Sequence, residues 1–291
     1  MGPPERQPAP PRFEWTQVSE PHRYVTKVWK ECNWLQALEG GIDTSHAPIL
    51  HRALHKDAAH LGIPFDGAFA RGKAPTLEVE VTDYGDRYFG IREMPEGGRY
   101  VRGYHFIMPL TQLRPNGPKT IVDGHYWVPI DDENVMVSNF GYSYGKEPLT
   151  ASESYDRNAG NNFGTDIGVD NDFRSVRNSR NKWMIDRAAQ KRDTFSGITG
   201  INAQDRAVQE SMGRVVDRTQ EHLGSADKAI IATRRLLEQA VRAVQDGGDP
   251  SGVAPTYYNL RAMDGIVPDD ADWHAQMMDV MYPTTPAATA S

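Results

Sequence analysis

The stretch "TLEVEVTDYGDRYFGIREMPEGGRYVRGYHFIMPL", residues 76–110, decides the fold. Its residues alternate, break at "YGD", alternate again, break at "PEGG" and resume. A period of two sends successive side chains to opposite faces of a strand, and Gly- and Pro-bearing breaks mark the turns between strands. The segment "TIVDGHYWVPIDDENVMVSNFGYSYG", residues 120–145, continues the pattern with "DDEN" as its next hairpin turn. At least five antiparallel strands are expected between residues 77 and 143.

Before the meander, Tyr24–Trp29 alternates and is expected to be a strand, and Cys32–Glu39 carries Trp34, Leu35 and Leu38 on one helical face. Residues 1–12 are rich in proline and read as an extended arm, residues 62–75 as a loop. After the meander, residues 146–182 are polar and form a long loop or insert. Two helices are expected beyond it. Gln204–Gly213 is short. Ser225–Asp246 is long, with Ser225 as N-cap, Gly247-Gly248 as its stop, and Ala226, Ala229, Ile230, Leu237, Ala240, Val241 and Val244 facing the core. The tail after Tyr282 is low in complexity and frays. The expectation is an α+β domain, a curved antiparallel sheet with helices on one side and a long helix near the C-terminus. Its division is a connector or arm at 1–22, a body at 23–282 and a disordered tail at 283–291.

A chain of 291 residues with a net charge of −7 and no basic stripe is not a general nucleic-acid binder. No apolar run approaches the roughly 20 residues of a membrane helix, and the N-terminus lacks the apolar core of a signal peptide. Cys32 is the only cysteine, which excludes an internal disulfide and fits a cytoplasmic location. It also excludes a cysteine-ligated zinc cage or iron–sulfur cluster built from this chain.

The chemistry concentrates in "CNWLQALEGGIDTSHAPILH", residues 32–51. Asp43, His46 and His51 lie within nine residues, beside Gly40, Gly41 and Pro48. In a regular helix His46 and His51, five apart, point about 140° away from each other, so one metal ion could not bind both. A π-bulge or a break would bring them together, and Pro48 offers a cause for one. His55 and His60 repeat the same spacing, so spacing alone leaves the ligand question open. An iron that activates O2 needs two histidines and a carboxylate on one face, hence a third ligand from elsewhere.

This segment resembles the iron-binding segment of the alpha subunits of Rieske-type aromatic-ring-hydroxylating oxygenases, in the branch of phthalate dioxygenase and the aryl-ether O-demethylases. The shared pattern is D-x-x-H-x-x-x-x-H, here Asp43, His46 and His51. A second match is "RDTFSGITGINAQDRAVQESMGRVVDRTQEHLGSADKAIIATRRLL", residues 192–237. The resemblance implies that His46, His51 and Asp205 hold one mononuclear Fe(II). It implies that Asp205 lies at the start of the helix Gln204–Gly213. It implies that Asp43 bridges an iron-ligating histidine to a histidine of the Rieske [2Fe-2S] cluster in a neighbouring subunit.

It further implies a helix-grip, START-like fold, a homotrimer, and electrons from a ferredoxin or flavin reductase. The substrates are O2 and an aromatic acid or methoxy-aromatic. The Rieske motif of two cysteines and two histidines does not occur in this chain. The expectation is therefore a catalytic-domain fragment that begins in the connector. Thr44, Arg71 and Lys73 are candidate substrate contacts, the two cations because they pair with a carboxylate. Arg92 and Arg102, on strands, are further candidates for that carboxylate, with solvated strand charges as their favoured reading, and Tyr104, Phe106, Trp127 and Phe140 are expected to be core or pocket lining. Two other readings remain at this stage, a START-like ligand-binding domain without chemistry and a zinc hydrolase, the latter without its H-E-x-x-H signature.

Overall fold

The computed structural model describes residues 4–61, 63, 67–71, 75–116, 120–151, 153–154, 166–253 and 257–284. Ten strands are described: β1 (Arg12–Phe13), β2 (Arg23–Lys30), β3 (Thr76–Val81), β4 (Gly85–Glu93), β5 (Arg99–Ile107), β6 (Thr111–Pro115), β7 (Ile121–Pro129), β8 (Val135–Ser143), β9 (Tyr257–Tyr258) and β10 (Met263–Val267). The main antiparallel sheet runs β2-β8-β7-β6-β5-β4-β3. Its consecutive neighbours from β3 to β8 are the meander read from residues 76–145. β5 is shared: β10 pairs with Arg99–Gly103 and β6 with His105–Ile107. The sheet therefore splits between β10 and β6 at Tyr104.

One face of the sheet is gripped by two helices. The long helix Lys228–Gln245 lies on β3 and β4, and the helix Trp34–Ile42 lies on β7. Between them and the sheet sits a core of Val28, Leu38, Ile42, Tyr88, Tyr104, Phe106, Trp127, Val137, Ile230 and Leu236. Burying an aliphatic or aromatic side chain of this size stabilises by about 1.5–3 kcal/mol relative to exposure, which is what fixes the helices to the sheet. The α+β, helix-grip expectation describes this arrangement.

Several details differ from the sequence reading. Helices do not lie on one side only: Trp273–Met281 covers the opposite face, where Met277 and Met281 pack on Phe89, Ile91 and Val101. Phe140 belongs to that face too, with Phe13, Val18 and Leu260. The segment before residue 23 is packed from β1 onward: β1 pairs with β9, and buried Glu14 accepts hydrogen bonds from Arg261 and from Tyr142 Oη. Ser225 opens a short 3₁₀ turn, Ser225–Asp227, and the α-helix starts at Lys228. Its buried face is Ala229, Ile230, Thr233 and Leu236, whereas Ala226, which precedes the helix in the 3₁₀ turn, and Val241 are exposed. The stop is as read: Gly247 has φ +78°, and the Gly247 and Gly248 N–H groups donate to Val244 and Ala243, a closure that glycine's left-handed freedom permits. The 62–75 loop contains a helical turn, Ala68–Arg71, and the polar insert contains two 3₁₀ segments, Val169–Asn171 and Ser179–Met184. Most of the tail lies outside the described residues, as does the centre of the insert. Among the described residues no helix is long and apolar enough to cross a membrane.

Candidate metal centre

Two segments far apart in sequence build the centre. Asn33 caps the helix Trp34–Ile42 by accepting from Leu35 N–H, and the helix ends at Asp43, whose backbone is extended. A new one-turn helix follows, Ala47–Leu50, with His46 before it and His51 after it. The break thus lies between Asp43 and His46, ahead of both histidines, which then sit at the two ends of the single turn that follows. Pro48 does not make it; it sits in the first turn of the new helix, where a missing N–H costs nothing. Gly40 and Gly41 do not break a helix either. They lie within one, and a Cβ on Gly40 would overlap the Gln209 side chain, one on Gly41 the Trp127 ring. They are close-approach residues that let this helix settle on β7 and on the helix Ile201–Ser211.

Asp205 comes from that second helix, one turn inside it rather than at its start. The macrodipole of the first turn therefore does not explain the carboxylate. Its Oδ1 lies 3.2 Å from His46 Nε2 and 3.1 Å from His51 Nε2. The two imidazole rings stand 5.3 Å apart between centroids and nearly perpendicular, at 76°. One donor atom from each of the three residues falls within 4.8 Å of the others.

The outer nitrogens of both rings are already committed. Gln204 Nε2 donates to the Ile198 carbonyl at 2.8 Å, which turns its Oε1 toward His51; His51 Nδ1–H donates to that oxygen at 2.8 Å. His46 Nδ1–H donates to Asp43 Oδ2 at 2.9 Å, and Asp43 is itself held by the N–H groups of Ser45 and His46. Each ring is therefore fixed with Nε2 facing inward. This is the arrangement in which imidazoles ligate a metal while a second partner fixes the tautomer.

Two inward lone pairs facing a carboxylate repel it unless a cation lies between them. Without a metal, a proton takes that place. Burial opposes charge on His46, but Asp205 and Asp43 outweigh it and push the imidazole up to about 10. Burial opposes the Asp205 charge too, and the two histidines hold it well below the usual carboxylate range. Asp43 is likewise held low against burial, by His46 and Ser45. Two nitrogens and one carboxylate, converging from one side, fit a divalent ion of the kind bound by a two-histidine, one-carboxylate face.

A cavity of about 260 Å³ adjoins the triad. Tyr104, Trp127 and Phe69 give it aromatic walls, and Lys30, Arg102, Arg114, Asp123 and His125 line its sheet side. An apolar cavity of about 150 Å³ holds benzene, so this volume suits one substituted ring. Thr44 lines it too, buried, with its hydroxyl 2.7 Å from Tyr104 Oη. Arg71 ends the helical turn Ala68–Arg71, and Lys73 lies outside the described residues.

Arg92 and Arg102 are not solvated. Arg92 is 1% exposed and donates to the Thr44 carbonyl, its guanidinium 4.3 Å from the centre of the Phe69 ring. Arg102 donates to Tyr104 Oη, Tyr100 Oη, Asp264 and the Pro115 carbonyl. Strand parity places both on the gripped face with Tyr104, which alternation alone shows once the inward face is known. Gln204 was not singled out from sequence, although it adjoins Asp205. Lys30, Arg114 and His125 were also missed; the parity of His125 with Asp123 and Trp127 was the available signal.

The family model that matches is described as LigXa C-terminal domain like, and it covers residues 1–288. The phthalate 4,5-dioxygenase oxygenase subunit of Pseudomonas putida is 32% identical over 287 residues, covering 94% of this chain and 63% of that protein. The 3-chlorobenzoate-3,4-dioxygenase oxygenase subunit of Comamonas testosteroni is also 32% identical over 287 residues, with 91% and 64% covered. The 5,5'-dehydrodivanillate O-demethylase oxygenase subunit of a Sphingobium species is 23% identical over 278 residues, with 91% and 58% covered. The chain thus spans about three fifths of the length of these relatives. The match over residues 1–288 shows that the chain belongs to the LigXa C-terminal-domain-like family.

Proposed function

We propose that this chain is the mononuclear-iron catalytic domain of a Rieske-type oxygenase, which hydroxylates or O-demethylates an aromatic acid or methoxy-aromatic using O2. The observation that carries the reading is the convergence of His46 Nε2, His51 Nε2 and Asp205 Oδ1 beside a ring-sized cavity. These three residues would hold Fe(II), and when bound the iron supplies electron transfer to O2 at its open positions. Gln204 and Asp43 keep both imidazoles aimed. Trp127 and Tyr104 flank the ring of the substrate, and Thr44 offers it a hydroxyl. The names of the relatives, which include two dioxygenases of ring acids and one O-demethylase, support the substrate class.

Electrons would come from a ferredoxin or flavin reductase through a [2Fe-2S] cluster that this chain does not itself ligate. Asp43, partly exposed at the surface beside His46, would carry the contact to that cluster in a neighbouring subunit of a trimer. Residues 23–282 would form the catalytic domain, with residues 1–22 as the connector packed onto it.

Metal analysis after anaerobic loading with ferrous iron tests the reading. About one iron per chain is expected, and none in His46→Ala, His51→Ala or Asp205→Ala, each with an unchanged circular dichroism spectrum. Full occupancy in any of the three removes that residue from the ligand set. No metal in the wild type leaves a ligand-binding domain without chemistry, and zinc with hydrolytic activity makes it a hydrolase.

A further inference from the structure

Four buried polar side chains form one row across the gripped face of the sheet. Gln112 on β6 pairs with His125 on β7, His125 with Asn139 on β8, and Asn139 with Thr26 on β2. None of the four is more than 5% exposed. Each carries a polar atom without a partner: Gln112 Oε1, both ring nitrogens of His125, Asn139 Nδ2 and Thr26 Oγ1. Within this row only His125 lines the cavity, its ring stacked at 5.1 Å and 19° on Trp127. A buried imidazole with both nitrogens unused is rare in a folded chain.

Two cations flank it in the same lining. Lys30, 4% exposed, has an ammonium with three N–H groups and one hydrogen-bond partner, Gln209 Oε1 at 2.9 Å. Arg114 has no hydrogen bond or ion pair among the described residues, although its cross-strand neighbour is Asp123. Asp123 is engaged elsewhere, accepting from Tyr24 Oη at 3.4 Å and from Asn116. Arg102, by contrast, has its donors committed to four oxygens of the protein. Burial keeps His125 neutral, and Arg114 and Lys30 act in the same direction. The ring therefore offers one N–H donor between the Arg114 guanidinium and the Lys30 ammonium, whose charge burial opposes and the Asp205 carboxylate supports.

We infer that His125, Lys30 and Arg114 form the subsite that receives an oxyanion substituent of the aromatic ring, a carboxylate or a phenolate, and that they make the cavity select ring acids over neutral rings. Trp127 holds the adjoining ring face, and the rest of the ring extends toward the triad. The three side chains of the subsite come from β2, β6 and β7. The subsite deepens the oxygenase reading and rests on the cavity being the substrate site.

Calorimetric titration of the whole chain with benzoate, with neutral benzamide and with 4-nitrophenolate tests it, without turnover. Benzoate or 4-nitrophenolate is expected to bind at least about tenfold more tightly than benzamide, a carboxylate and a phenolate site being told apart by which of the two leads. His125→Leu and Arg114→Leu should each abolish that preference with an unchanged thermal midpoint, while His125→Gln, which keeps a donor, retains part of it. Equal binding of benzamide and both anions overturns the inference, as does an anion preference intact in the folded leucine variants. If His125→Leu does not fold, Arg114→Leu and Lys30→Met decide. Iron content measured on the same samples separates the two readings. Iron without anion preference sinks the subsite alone, and anion preference without iron sinks the oxygenase centre alone.

Discussion

Gln204 Oε1 lies 2.8 Å from His51 Nδ1, and the Gln204 amide is turned that way by its own bond to the Ile198 carbonyl. The residue next to one proposed ligand therefore fixes the tautomer of another. Gln204→Leu should leave all three ligands in place yet weaken iron binding by about 10- to 100-fold, the usual cost of losing such a partner. Gln204→Glu, which still accepts from Nδ1–H, should lose much less. Competition against a chromophoric chelator reads both, and wild-type affinity in Gln204→Leu would show that His51 needs no such support.

The proton on His46 is a second consequence of the same geometry. Its folded value, about 10, is above the ordinary 6.5, so it stabilises the metal-free fold fully below pH 6.5. That contribution disappears as pH rises through about 10. The thermal midpoint of the metal-free protein should therefore fall between pH 6.5 and 10 more steeply than that of His46→Gln. Iron must displace this proton, so apparent affinity should rise about tenfold per pH unit across that range. Proton release into a weak buffer on iron addition checks it; no release would mean that His46 is already neutral.

Asp86 illustrates a cost rather than a gain. It is fully buried, Oδ1 has no partner, and Oδ2 meets only Thr233 Oγ1 at 3.3 Å. Burial pushes its carboxyl up to about 7 from 3.8, with the Thr233 bond opposing weakly. A raised carboxyl value means stability is present below the unfolded value and falls as pH rises from about 4 to 7, by about 4 kcal/mol at the plateau. Asp86→Asn should be more stable than wild type at pH 8 and nearly equal to it at pH 4, by urea denaturation. Equal stability at pH 8 would place a charge there that the surroundings tolerate.

Gly41→Ala sets two effects against each other. A helix-interior alanine gains about 1 kcal/mol over glycine, but here its methyl overlaps the Trp127 ring, and overpacking of this kind costs about 1–3 kcal/mol. We expect net destabilisation and, because Asp43 and His46 follow directly, weaker iron binding. A stabilised variant would show that the helix can lift off β7 freely.

Glu14 and Arg261 form a buried pair, with Glu14 1% exposed. Removing one partner strands the other, which typically costs about 3–5 kcal/mol. Arg261→Met should therefore lower the thermal midpoint sharply, while an exposed change such as Arg12→Ala should not. Equal midpoints would mean that the packing of the first strand contributes little.

Much of the fold was legible because strand alternation and turn residues are local properties. The order β3 to β8, the helix stop at Gly247 and the Asp43–His46–His51 spacing all belong to this kind. Reading the break at Pro48 failed because the effect of a proline depends on where its helix begins. Arg92 and Arg102 were read as solvated because a two-residue period shows that faces alternate but not which one is covered. The covering comes from Trp34–Ile42 and Lys228–Gln245, segments remote from β4 and β5 in sequence.

By itself, then, the sequence determined an alternating antiparallel sheet, helices near Cys32–Glu39 and Ser225–Asp246, and three residues whose kinds and family pattern suit a ferrous ion. Only the tertiary structure decided that His46 Nε2 meets Asp205 across 159 residues, that Gly40 and Gly41 are contact surfaces, and that Gln112, His125, Asn139 and Thr26 fall in one row. The physical reason is register. Which residues of different strands stand side by side, and how closely a helix approaches them, is set by long-range packing that no local period encodes.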